Sequence, residues 1–311
     1  MRNQRARPGR AAFTLLELLI VVAIIGILVL LSAGAAIRMM GGTASSATRT
    51  AINRVGITLS GQMTYVADQA RKESIPASID SLAGGDRDRA RVILIKLRMK
   101  QAFPQSFFEA LYPGRDPASG AEYVQPRPSY VTYLKQAGIT RASYNPALGP
   151  PAPAAHESAA CLYMALRHGP EAVGEEQLGL SGSTVTIGGL PCLSDAFGQP
   201  LLFCRWPVGD HSASPPSGVS VANPGGYADG ANDPGDPRAT LNDATWQTSA
   251  GGQAFQRVCH PLFPRSLGLR TLNLSALVMS GGADKAPGVD FFTFASTGPA
   301  SNDNILGGRL K

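Results

Sequence analysis

The sequence predicts an α+β fold. A long N-terminal helix, part membrane stem and part amphipathic spine, leads into additional short helices and a small antiparallel β-sheet near the C-terminus. Three observations carry this reading. Leu18 to Ile37 runs for 20 residues without a charge. Apolar residues then recur at helical spacing from Ile52 to Ala70. Stretches rich in β-branched and aromatic residues appear only late in the chain, and helices first with strands last is an α+β order.

The stem comes first. Twenty residues of helix span about 30 Å, the thickness of a bilayer's hydrocarbon core. Arg2, Arg5, Arg7 and Arg10 precede it and carry most of the net charge of +6. Basic residues stay on the cytoplasmic side, so the stretch predicts a single membrane pass, N-terminus inside and the remainder of the chain outside. A secretory signal peptide is the competing reading, with Ala33-Gly34-Ala35 as its small-residue cleavage site. Glu17 argues against it. A carboxylate at the edge of an apolar helix is costly, and a signal peptide gains nothing from one.

Gly41-Gly42 marks an expected weak point, with Thr43 or Ser45 placed to cap the next helix. Ile52, Val55, Leu59, Met63, Val66 and Ala70 then form one helical face, the spine. Asp86–Ala102 reads as a second helix, despite the alternation within Val92–Leu97. Ser106–Leu111, Tyr130–Ala137 and Glu157–Arg167 read as shorter ones. Arg115–Arg127, Asn145–Ala155 and Pro207–Pro237 read as loops, the last two for their Pro, Gly and Ser content. Thr184–Ile187, Leu201–Cys204, Leu274–Met279 and Phe291–Phe294 are strand candidates. The division is a leader at 1–12, an N-terminal helix at 13–42, a spine with helical insertion at 43–150, and an α/β head at 151–311.

Composition excludes several classes. At 311 residues the chain can bury a substantial core, and charged residues make up only 16%. Its 35 glycines and 24 prolines fall short of the roughly 25–30% typical of low-complexity disorder. The basic residues beyond the leader are scattered among acids, so no nucleic-acid partner is expected. His156, His168, His211 and His260 show no zinc spacing, and the chain lacks a phosphate-binding loop, a nucleophile elbow and a dinucleotide fingerprint. Asp229 to Asp233 begins like a calcium loop, but Thr240 stands where the twelfth-position glutamate belongs. Trp206 and Trp246 read as core or loop anchors. No enzyme is expected. Cys161, Cys192, Cys204 and Cys259 lie beyond the stem, where disulfides are permitted, and three pairings are open. Cys192 and Cys204 bracket a turn and are close enough in sequence for a local bridge; Cys161 reads equally well as a buried thiol.

The segment Phe13-Thr14-Leu15-Leu16-Glu17-Leu18-Leu19-Ile20-Val21, behind a basic leader and a small residue, resembles the type IV prepilin family, which includes the pseudopilins of type II secretion. The resemblance implies cleavage between Ala12 and Phe13 by a prepilin peptidase and methylation of the freed amine of Phe13. The family usually has Gly where this chain has Ala12; Ala is still small, so slower processing is the most this departure implies. The resemblance also implies that Glu17 pairs with the Phe13 ammonium of a neighbouring subunit, an assembly contact suited to a carboxylate in a low-dielectric surrounding. Partners would be the peptidase, other pilin or pseudopilin subunits in a homo- or hetero-filament, and an inner-membrane assembly platform. Asp195-Ala196-Phe197-Gly198-Gln199-Pro200 is similar to a turn that opens the β-region of major pseudopilins. Ser280 to Gly288, with Asp303-Asn304-Ile305, is similar to their calcium loop; Ser280, Asp284 and Asp303 would be the ligands, and no other cofactor is required. The inserted Val289–Ala300 departs from that pattern, and an ordinary glycine-rich turn is the alternative. The expected role is a filament subunit with an enlarged head, the excess lying mainly in Ala77–Gly189. The rival is a tethered periplasmic enzyme or binding domain.

Overall fold

The computed structural model describes residues 15–148, 155–178, 184–205, 236–259, 276–289, 298–299 and 303–307, leaving aside the side chains of 17, 31, 33–41, 147, 155, 175, 178 and 242. The chain divides into two compact units, one ending at Ala44 and one beginning at Ser45. Helix α1 runs Leu15–Lys72. It passes through Gly41 and Gly42 without a break, so Thr43 and Ser45 are interior residues rather than caps. Each glycine costs about 1 kcal/mol against Ala, yet neither removes a hydrogen bond as Pro would, and an established helix propagates through such a cost.

In the first unit the described side chains of Leu15, Leu16 and Leu18 to Leu30 are exposed, Leu30 by 75%. A continuous apolar surface of this kind calls for lipid or protein around it. In the second unit α1 buries Ile52, Val55, Leu59, Val66 and Ala70, the face its spacing predicts.

That face enters the main core. Helices α2 (Ala77–Leu82), α3 (Arg87–Ala102), α4 (Phe107–Leu111) and α5 (Pro128–Gln136) follow, then α6 (Ala155–His168) and the short α7 (Glu175–Leu178). Asp86 caps α3 by accepting from the amides of Asp88 and Arg89, and Ser106 caps α4 by accepting from Glu109. Helix α6 is buried on every side from Ser158 to Leu166, an arrangement that an amphipathic helix cannot tolerate and this apolar one can. It packs on two strands, β2 (Leu190–Leu193) and β3 (Leu202–Cys204). Ser158 stitches it to β3, its Oγ donating to the Phe203 carbonyl at 2.5 Å and accepting the Phe203 amide at 2.8 Å.

The expected single sheet is two. Strand β1 (Thr184–Ile187) pairs antiparallel with β2 through a Gly188-Gly189 turn, both glycines at positive φ as a tight hairpin requires. Strand β3 pairs with β4 (Leu277–Ser280), and β4 with β5 (Ile305–Leu306), all antiparallel. The predicted strand at Phe291–Phe294, most of the Pro207–Pro237 loop and residues 274–275 lie outside the described residues.

Between β3 and β4 come α8 (Ala244–Thr248) and α9 (Ala250–Cys259), which fold against α2 and α3 around a second core of Ile79, Leu82, Ile93, Leu97, Trp246 and Phe255. Because α3 meets α2 and α9 as well as α4, it buries residues all round, which explains the strand-like alternation of Val92–Leu97. Arg89 ties this core together. Its guanidinium donates to the carbonyls of Ala83 and Thr240 and to Asp243, and lies 4.9 Å from the centre of the Trp246 ring. Trp246 is thus a core anchor, as read. Gly251 sits where α9 meets α2: a Cβ there would fall 2.3 Å from the Leu82 carbonyl oxygen. Gly251→Ala should therefore force the helices apart, costing about 2 kcal/mol and roughly 4–8 °C of thermal midpoint, checked by differential scanning calorimetry.

Candidate functional site

The residues with the sharpest expected roles sit at the foot of the chain. Ala12 and Phe13 lie outside the described residues, and Glu17 falls in the first turn of α1. From there the helix presents only apolar side chains through Leu30. Among the described residues no helix is long and apolar enough to cross a membrane. The charge-free run Leu18–Ile37 continues through positions 31 and 33–37, whose side chains are not described.

A second constellation joins residues far apart in sequence. Asp195 closes its own turn, Oδ1 accepting the amides of Phe197 and Gln199 at 2.9 and 2.8 Å. Its Oδ2 accepts the Ser280 hydroxyl at 2.5 Å, and that hydroxyl oxygen accepts the Gly282 amide at 3.0 Å. Thr48 of α1 joins in, its Oγ1 accepting the amide of Ala196 at 3.1 Å. Across the inserted stretch, Asp303 meets the loop: its Oδ2 accepts the Asp284 amide at 3.0 Å. The Asp284 carboxylate accepts the Ala286 amide at 2.8 Å, and Asn304 donates to the Pro287 carbonyl at 2.6 Å. The insertion at Val289–Ala300 therefore does not keep the two halves apart. The three residues that the calcium-loop resemblance names are all engaged in these bonds. The Ser280 hydroxyl donates to Asp195 and accepts from the Gly282 amide, and the carboxylates of Asp284 and Asp303 each accept one backbone amide hydrogen bond. Among the described residues no group of three or more His, Cys, Asp or Glu side chains converges as metal ligands would.

Cys161, Cys192, Cys204 and Cys259 are all free and buried. The local bridge fails because its two strands belong to different sheets: Cys192 enters the main core, while Cys204 enters a small core with Leu202, Leu277, Met279 and Val289. Cys204 accepts a hydrogen bond from Gln105 instead. Burial pushes the thiols of Cys192 and Cys259 up to about 11 and that of Cys161 well above its usual range. They are held protonated and are poor nucleophiles. His156 stacks obliquely near Phe107 and His168 near Tyr133.

Sequence reasoning missed one buried charged cluster altogether. Glu109, in the first turn of α4, receives the Arg205 guanidinium at 3.0 and 3.2 Å and lies 3.6 Å from the Lys100 ammonium. Burial alone would raise its pKa, but Arg205 and Lys100 outweigh that and hold it at about 2. Burial pulls Lys100 the other way, below the ordinary lysine range, with Glu109 opposing. Arg205 also donates to the Phe103 carbonyl, and Lys100 to that of Val258. The cluster ties α3, α4, α9 and the end of β3 together, with no open approach implied by its burial.

The decisive likeness is at the N-terminus. A family model, the prokaryotic N-terminal methylation motif, matches residues 7–33. This chain begins like a type IV prepilin. The matched stretch takes in the basic leader's end, Ala12, Phe13, Glu17 and most of the apolar run, and such a motif supports processing by a prepilin peptidase, anchorage through the N-terminal helix and assembly with other pilin subunits. No characterised protein and no solved structure matches the chain.

Proposed function

We propose that the protein is a structural subunit of a type II secretion pseudopilus, or of a related type IV filament. It waits in the inner membrane with its head in the periplasm. After cleavage behind Ala12 and methylation of Phe13, it assembles through its N-terminal helix. The observation that carries this reading is the prepilin-like segment at residues 7–33, with Glu17 the charge that interrupts its apolar surface. Close packing supplies cohesion among such stems, because bundling apolar helices in lipid gains little hydrophobic free energy. Specificity comes from Glu17 and the Phe13 amine of a neighbour, since a displaced subunit leaves both charges unpaired. The second core built by α2, α3, α8 and α9 accounts for part of the large head, and such an elaboration suits a minor or tip-type subunit.

The test is the mature N-terminus, read by mass spectrometry of the membrane-extracted protein. N-methylated Phe13 is expected. A chain still starting at Met1 would mean an uncleaved anchor, and one starting at Ala36 a secreted domain; either result refutes the filament reading.

A further inference from the structure

We infer that the Ser280–Gly288 loop is a latch closed by the chain's own carboxylates, which fastens strand β5 and the Asp195 turn to the spine helix without a divalent cation. A cation loop turns oxygens inward, because Ca²⁺ needs six to eight of them at about 2.3–2.6 Å. This loop turns amides toward the side-chain oxygens instead. Gly282 donates to Ser280, Asp284 to Asp303, and Ala286 to Asp284. Asp303 itself presses into the loop: a Cβ on Gly282 would lie 2.3 Å from its carbonyl oxygen and 2.7 Å from its Oδ2. The backbone takes left-handed conformations at Gly282, Lys285 and Gly288 to make this concave shape, and for Lys285 that conformation is a strain the closed loop sustains.

The latch reaches α1 by two routes. From Ser280 it passes through buried Asp195 and the Ala196 amide to Thr48. From Asp303 it passes along β5, where Ile305 pairs with Ser280 and the Gly307 amide donates to the Val278 carbonyl at 2.9 Å. Gly307 lies so close to the spine that a Cβ there would sit 2.8 Å from Ile52 Cγ2. A strand of two residues has too few ladder bonds to hold itself, so the side-chain bonds of Asp303 and Asn304 hold it there. A carboxylate that accepts backbone amides makes strong charge-assisted bonds, which close the loop on the chain's own donors.

The experiment compares thermal unfolding of the full chain in detergent, with millimolar calcium chloride, magnesium chloride or EGTA, for the natural protein, Asp303→Ala and Asp303→Asn. The natural protein should melt at one temperature in all three solutions. Asp303→Ala should melt about 5 °C lower in each, and Asp303→Asn, which keeps an acceptor for the Asp284 amide, should recover most of that loss. A calcium-dependent rise that vanishes in Asp303→Ala overturns the proposal, as does an Asp303→Ala protein that melts like the natural one.

Discussion

Glu17→Ala should yield a protein that is still cleaved and methylated at Phe13 but no longer enters filaments. The side chains from Leu18 to Leu30 are apolar and exposed, and Glu17 is the one charged residue in the sequence from Leu15 to Ile37. In a bundle of such stems it is surrounded by hydrocarbon, and a lone charge there is tolerable only beside an opposite one. On the proposed pairing, removing the carboxylate leaves the Phe13 ammonium of a neighbouring subunit buried and unpaired. Breaking a buried pair in this way costs about 3–5 kcal/mol, which lowers the equilibrium for adding a subunit by roughly two to four orders of magnitude. The measurement is fibre yield by sedimentation and electron microscopy, with mass spectrometry of the same sample to show that processing is intact. Glu17→Asp keeps the charge on a shorter arm and should assemble poorly rather than not at all. Normal fibres from Glu17→Ala would mean that the carboxylate does not choose the neighbour. A tethered head that uses the helix only as an anchor predicts no change from either substitution.

The parts of this molecule legible from sequence are those decided locally. Asp86 and Ser106 announce α3 and α4 because a cap acts within three residues, and both accept the amides their positions predict. The spine face of α1 follows from period alone. Helices α8 and α9, which the sequence reading does not predict, also carry start signals: Asp243 and Ser249 accept amides at the two starts. The Gly251-Gly252 pair hides the second signal, because glycine ordinarily marks a loop, and here it serves close packing on Leu82. Strand β2 carries Pro191, which removes a ladder donor, and β5 is two residues long, too short for any pattern. The methylation motif is contiguous and so could be read; the latch and the ion cluster could not. Asp284 and Asp303 are 19 positions apart, and Glu109 and Arg205 are 96 apart. A polar pair at such a distance leaves no periodic trace, since its partner is chosen by the topology that folds α4 against the end of β3.

That cluster yields the largest expected effect on stability. Glu109→Ala should destabilise the head by about 3–5 kcal/mol and lower its thermal midpoint by roughly 6–15 °C, because it strands two cations, Arg205 and Lys100, away from water. Arg205→Met should cost less. Glu109 then keeps Lys100 and the Gln105 amide at 2.9 Å, and the methionine side chain fills much of the space. The ranking matters more than either value. A single bond lost from each side would make the two substitutions equal, whereas two cations on one carboxylate make the carboxylate the worse loss. Acid provides an independent route to the same quantity. The folded pKa of Glu109 is depressed to about 2 from an ordinary 4.5, so its contribution is complete above the unfolded value and is lost as pH falls through the folded one. The depression corresponds to about 3 kcal/mol, lost between roughly pH 5 and pH 2. Urea unfolding across that range should show the natural protein losing stability steeply, and Glu109→Gln, which has no proton to take up there, losing that much less. Identical acid limbs would mean that the stability lost on acidification resides in another carboxylate, of which Asp116, held at about 2 by the Arg257 guanidinium, is the first to examine.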